Sequence, residues 1–187
     1  MNIEGFEKAA KNYHKGTMAV VEKLLGVPEI SINTTPIIVR KGGETLGFVL
    51  GKANIQMDMD YMQPYIMNGA FSLEVHMKLI SLLETGDKLH GHNLLKLFEE
   101  LTTQTKSHVR SSLKELVKDS KIHKDINREI NSTHKVQFSW EAHKLIANSS
   151  LAFERWRYSF EDKEVTWFAG YLELQKVLNS RILEIKS

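Results

Sequence analysis

The chain holds 8 histidines and no cysteine, so imidazole proton transfer is open to it and thiolate chemistry is not. The histidines are His14, His76, His90, His92, His108, His123, His134 and His143. No two stand four apart around a glutamate, so the helical zinc-protease arrangement is absent. His90-Gly91-His92 puts two imidazoles on a turn. Capping of the next helix explains them better than a metal, because a catalytic metal normally takes three protein ligands. His76 is expected to be solvated or partly buried on a long helix. There is no Gly-x-Ser-x-Gly elbow, and Gly42, Gly43, Gly47 and Gly51 surround a hairpin instead of opening a helix as a phosphate loop does. No metal and no cofactor is expected.

Phe153-Glu154-Arg155-Trp156-Arg157-Tyr158-Ser159-Phe160-Glu161 offers a different chemistry. Guanidinium forks bind phosphate oxygens in pairs, and aromatic faces stack bases. Arg155, Arg157 and Tyr158 are therefore candidate ligand-binding residues. The rival reading has Trp156, Tyr158 and Phe160 plugging the core, while Arg155 and Arg157 pair with Glu74 or Glu161.

These residues need a scaffold. A chain of 187 residues with 42% hydrophobic content can form one domain with a sizeable core. Its formal charge is only +2, and its pI of 8.7 falls short of the value above about 9 expected of a dedicated nucleic-acid binder. Position along the chain therefore decides, not net charge. The N-terminus is neither basic nor followed by an apolar run, and no stretch approaches the ~18 apolar residues of a membrane span. A soluble, cytoplasmic protein without a membrane partner is expected.

Periodicity supplies the elements. Ala9, Tyr13, Val20 and Leu24 suggest a helix from Phe6 to Leu25, closed by Gly26 and Pro28. Ile37-Ile38-Val39 and Leu46-Gly47-Phe48-Val49-Leu50 predict a hairpin about Lys41-Gly42-Gly43-Glu44, the only strand signal in the chain. Ile66, Ala70, Leu73, Met77 and Ile80 make one stripe of a helix ending at Gly86. Further helices are expected over Asn93–Leu101, around Val109–Val117, from Phe138 to about Glu154 with Trp140, Ala147 and Leu151 inward, and from Tyr171 to the C-terminus. The polar segment Lys118–Lys135 reads either as a helix edged by Ile122, Ile126 and Ile130 or as a loop excursion. The fold expected is a mainly α, up-and-down helical bundle of residues 61–187, with an N-terminal helix and small β-hairpin in residues 1–60 as an embellishment.

Two segments carry a resemblance. Gly69-Ala70-Phe71-Ser72-Leu73-Glu74-Val75-His76-Met77-Lys78-Leu79 is followed, after a glycine-containing turn, by Gly91-His92-Asn93-Leu94-Leu95-Lys96-Leu97-Phe98-Glu99-Glu100-Leu101. Together they resemble the HEPN family, helical bundles whose members show Ser-x-Glu-x-x-Leu-Lys, a short loop and His-x-Leu-x-x-Leu. The likeness covers roughly Pro64 to the C-terminus and leaves the N-terminal third unexplained. It implies a link to prokaryotic defence or toxin systems, a homodimer, and a place for Glu74 and His92 at the ligand site.

In active members the resemblance implies a metal-independent RNase site, an Arg followed after four to six residues by His near the start of the last core helix. Imidazole would move the 2′-OH proton and Arg would stabilise the phosphorane charge. Here Arg155 and Arg157 occupy that place, but no His follows them. Arg128 and His134 match the spacing literally, though chance alone gives on the order of 0.8 such matches in a chain of this composition. The expectation is a non-cleaving domain that binds RNA or a nucleotide. An endoribonuclease using Arg128 and His134, and a ligand-free subunit docking a protein partner, are the alternatives.

Overall fold

The structure, a computed structural model, describes residues 2–26, 36–41, 44–48, 57–134, 138–158 and 166–187. Side chains are described for 2–26, 36–38, 57–132, 138–150 and 167–187. Seven helices dominate: α1 (Ile3–Leu25), α2 (Met62–Thr85), α3 (Leu94–Glu100), α4 (Thr103–Lys118), α5 (Lys121–His134), α6 (Ala142–Tyr158) and α7 (Tyr171–Lys186). They form a helical bundle, accompanied by strands β1 (Ile37–Lys41), β2 (Glu44–Phe48) and β3 (Thr166–Phe168).

Local chemistry sets the helix ends. Asn2 caps α1 by accepting the Gly5 amide at 2.9 Å, and Gly26 ends it at φ 61°. Gly86 ends α2 in the same left-handed way, at φ 78°. Asn93, not His90 or His92, caps α3, through its side-chain oxygen on the Lys96 amide at 3.0 Å. An uncharged carboxamide oxygen at that position does what the imidazoles were expected to do. Within the polar segment Lys118–Lys135, Lys121–His134 form helix α5, with Ile126 and Ile130 of its thin apolar edge buried; Lys118 ends α4, and residue 135 lies outside the described residues.

The centre of the molecule is α2 and α7, each buried on more than one face. Ile66, Ala70, Leu73, Met77 and Ile80 all lie in the core, each large side chain there contributing roughly 1.5–3 kcal/mol by its burial. Small residues let neighbours come close. A Cβ at Gly69 would meet Phe168 at 2.7 Å, so the α2 backbone itself is the surface on which β3 lies. Along α1 the buried stripe runs through Ala10, Thr17, Met18, Val21, Leu24 and Leu25, while Tyr13 stays exposed and stacks on Phe71. The face is therefore rotated by about one residue from the Ala9–Tyr13–Val20 stripe.

The hairpin forms as β1 and β2, antiparallel with Val39 opposite Leu46. A third strand was missed: β3 pairs antiparallel with β1, Ile38 opposite Phe168, giving the order β2-β1-β3. Three residues carry no readable alternation, so only the partner defines this strand. Ile37 and Ile38 are fully buried in the same core as α2 and α7. No helix among the described residues is long and apolar enough to cross a membrane.

Candidate functional site

Glu74 and His92, 18 residues apart, meet. Glu74 is a buried carboxylate on α2, and the His92 Nδ1 lies 3.1 Å from both of its oxygens. Lys78, one turn along α2, donates to Glu74 Oε1 at 2.7 Å, the favourable acid-before-base order. The loop carrying His92 is tied down by Ser81 donating to the Asp87 carbonyl at 3.1 Å and by Gly91 at φ 87°. The His92 ring is 67% exposed, so the cluster is a buried anion with one cation beside it and one imidazole facing water.

The remaining sequence candidates fall elsewhere. Arg128 is 78% exposed and pairs with Asp125 one turn earlier on α5, at 3.2 Å. His134 is the last residue of that helix, and its side chain lies outside the described residues. Arg155, Arg157 and Tyr158 close α6; their backbone is helical, but their side chains also lie outside the described residues. His76 corrects an expectation. At 3% exposure it is a core residue, because α2 is covered on the face that carries it.

A basic cleft lies where no motif pointed. A cleft of about 570 Å³ opens between α4, α5 and the start of α6. Arg110, Lys114 and Lys118 line it from α4, Lys124 from α5, and Glu141 is the one carboxylate among the described lining residues. Four fixed cations against one anion leave a positive surplus in a concave site, where low-dielectric walls concentrate the field. Val117, Phe138, Trp140 and Ala142 make an apolar floor, and His143 stands on the rim.

Several of these cations have local partners. Arg110 lies over the Phe98 ring, 5.9 Å from its centroid, and Lys118 is 4.0 Å from Glu115. His143 is 3.6 Å from Glu99. Such exposed pairs are worth little and yield readily to a phosphate.

His123 ties the wall of the cleft to α7. His123 is buried, with Nδ1 2.6 Å from Ser120 Oγ and Nε2 3.1 Å from Glu173 Oε1 on α7. Its ring meets Trp140 edge to face at 4.4 Å, and Phe138 packs on the other side of that indole at 5.1 Å. Both ring nitrogens are used, so His123 holds α5 against α7 and positions the indole. The indole Nε1 and Asn127 Oδ1 are sealed polar atoms without a hydrogen-bond partner among the described residues.

One signal for the cleft was present in the sequence. Arg110, Lys114 and Lys118 recur every four residues, which puts them on one face of α4. What faces that ridge was not readable from α4 alone. Among the described residues no group of three His, Asp or Glu side chains gathers as a metal ion would need. No protein-family model matches the chain, no curated protein aligns with it, and no solved structure superposes on it.

Proposed function

We propose that this chain is a non-cleaving, HEPN-like helical bundle that binds RNA or nucleotides, with the α4–α5–α6 cleft as the binding surface. The observation that carries the reading is one cleft lined by Arg110, Lys114, Lys118 and Lys124 together with Phe138 and Trp140. Phosphate oxygens would meet the cations, and a base would leave water for the floor. Arg155 and Arg157 belong to the same reading as a second basic contact. They lie 12 and 14 residues beyond His143 on α6, about 18–21 Å along the axis, a distance an RNA strand covers and a mononucleotide does not.

The test is fluorescence anisotropy of a labelled single-stranded RNA and of labelled ATP, at several salt concentrations. The expected result is binding that weakens with salt, with a log–log slope of about −2 to −3 for three or four neutralised phosphates. Lys114→Ala with Lys118→Ala should weaken both ligands; Arg155→Ala with Arg157→Ala should weaken RNA alone. Binding unchanged in the first double variant overturns the assignment of the cleft. The homodimer implied by the resemblance is part of the proposal, and sedimentation equilibrium tests it.

A further inference from the structure

A second cleft, of about 430 Å³, lies between α1, α2 and α7. Two of its lining side chains are buried yet lack a partner on the cleft side. His76 on α2 is 3% exposed and Gln175 on α7 is 8% exposed. The carboxamide of Gln175 makes no hydrogen bond among the described residues, and neither does Nε2 of His76. Neither belongs to the sealed polar atoms, so both remain open to the cleft.

The protonation of His76 follows from its other nitrogen. Nδ1 lies 2.7 Å from the Ser72 carbonyl, which can only accept, so Nδ1 carries the hydrogen. Burial holds the imidazole below its ordinary pKa, outweighing the Ser72 hydrogen bond, and the nearby His14 adds to the effect. At neutral pH Nε2 therefore presents a lone pair. Open to the cleft, both groups are hydrated when it is empty, and a ligand that pairs with both at once takes the place of that water.

We infer that this cleft binds the edge of a small planar heterocycle with an N–H donor beside an acceptor, a nucleobase by its chemistry, held by His76 Nε2 and the Gln175 carboxamide. The imidazole accepts from the ring or amino N–H, and the carboxamide supplies the complementary donor and acceptor, as glutamine does when it reads a base edge. Leu79 and Ile182 give the ring apolar walls, and the volume lies within the usual range for small-ligand sites, about 300–1,000 Å³. Lys11 at the cleft lining offers a cation to a phosphate attached to the same base.

The experiment is a titration of the full chain with adenosine and, separately, with uridine, followed by the histidine side-chain nitrogen resonances in NMR. One nucleoside at least should move the unprotonated His76 Nε2 resonance saturably, leaving His76 Nδ1 protonated. Gln175→Leu should lower that affinity about tenfold or more. Inorganic phosphate alone should leave Nε2 unmoved. An Nε2 resonance indifferent to both nucleosides overturns the inference on the wild-type protein, whatever the variant's stability. So does a folded Gln175→Leu protein with unchanged affinity. The inference is independent of the basic cleft, with which this one shares no lining residue, so Lys114→Ala with Lys118→Ala should leave the His76 response as it was.

Discussion

The His92 imidazole sits 3.1 Å from both oxygens of the Glu74 carboxylate, joining the loop before α3 to the middle of α2. The two partners differ sharply in solvent. Glu74 is buried and also holds Lys78, whereas most of the His92 ring is in water. A contact with a largely exposed imidazole contributes little, but a carboxylate withdrawn from water and satisfied by an ammonium is costly to disturb.

Glu74→Gln should therefore destabilise the protein by about 1–3 kcal/mol, since Lys78 would be left nearly buried without its counter-ion. His92→Ala should cost less than about 0.5 kcal/mol. Urea denaturation of the two variants checks both, and equal losses would show that the imidazole is a structural tie of the same weight.

Gly69→Ala tests the close approach of β3 to α2. Alanine gains up to about 1 kcal/mol in helix propensity. Against that, its Cβ would lie 2.7 Å from the ring of the fully buried Phe168, and overpacking of this kind costs typically ~1–3 kcal/mol. A net destabilisation is expected, read as a lower urea midpoint. A more stable variant would mean that the ring gives way.

Lys114→Glu should cost RNA affinity more than Lys114→Ala does, because it adds repulsion to the loss of a contact worth about 1.5–3 kcal/mol. The thermal midpoint should barely change, as Lys114 is exposed. Anisotropy and calorimetry on the same samples separate the two effects.

Acid should unfold the protein in two steps. Burial keeps the His76 pKa below its ordinary value of 6.5, so the unfolded chain takes up that proton first. The stability linked to His76 is complete above 6.5 and declines as the pH falls from there toward the folded value. Glu84 acts lower on the scale. Desolvation opposes its ionisation, but hydrogen bonds from Thr105, Arg181 and Thr102 outweigh that and hold its pKa below 4.5. Its contribution is present above 4.5 and is lost as the pH drops through the folded value. The urea midpoint should be flat above about pH 7, fall below 6.5 and fall again below 4.5. Glu84→Gln should shrink the second step without abolishing it, because Arg181 also holds the Glu184 pKa below 4.5, and should cost about 1–3 kcal/mol near neutral pH, since buried Arg181 keeps only its more exposed partner Glu184.

Local pattern determined a good part of this molecule. Stripes such as Ile66–Ala70–Leu73–Met77–Ile80 read as helices because a 3.6-residue period is a property of a single segment. Gly42-Gly43 between two β-prone runs read as a turn for the same reason, and the strands on either side formed. The resemblance put Glu74 and His92 at one ligand site but did not foresee their contact, since nothing in the spacing of 18 residues forces it.

Tertiary structure alone decided the rest. β3 exists because β1 offers it a ladder, and α5 is a helix that needs Ile126 and Ile130 seated against other elements. His76 could not be recognised as buried from α2, whose second covered face depends on α7 and α1. The basic cleft draws on residues from Arg110 to His143, on three helices whose relative orientation no period encodes. A segment's own residues specify its conformation and its apolar face, but which charged faces come to share one hollow is set by packing between segments distant in the chain.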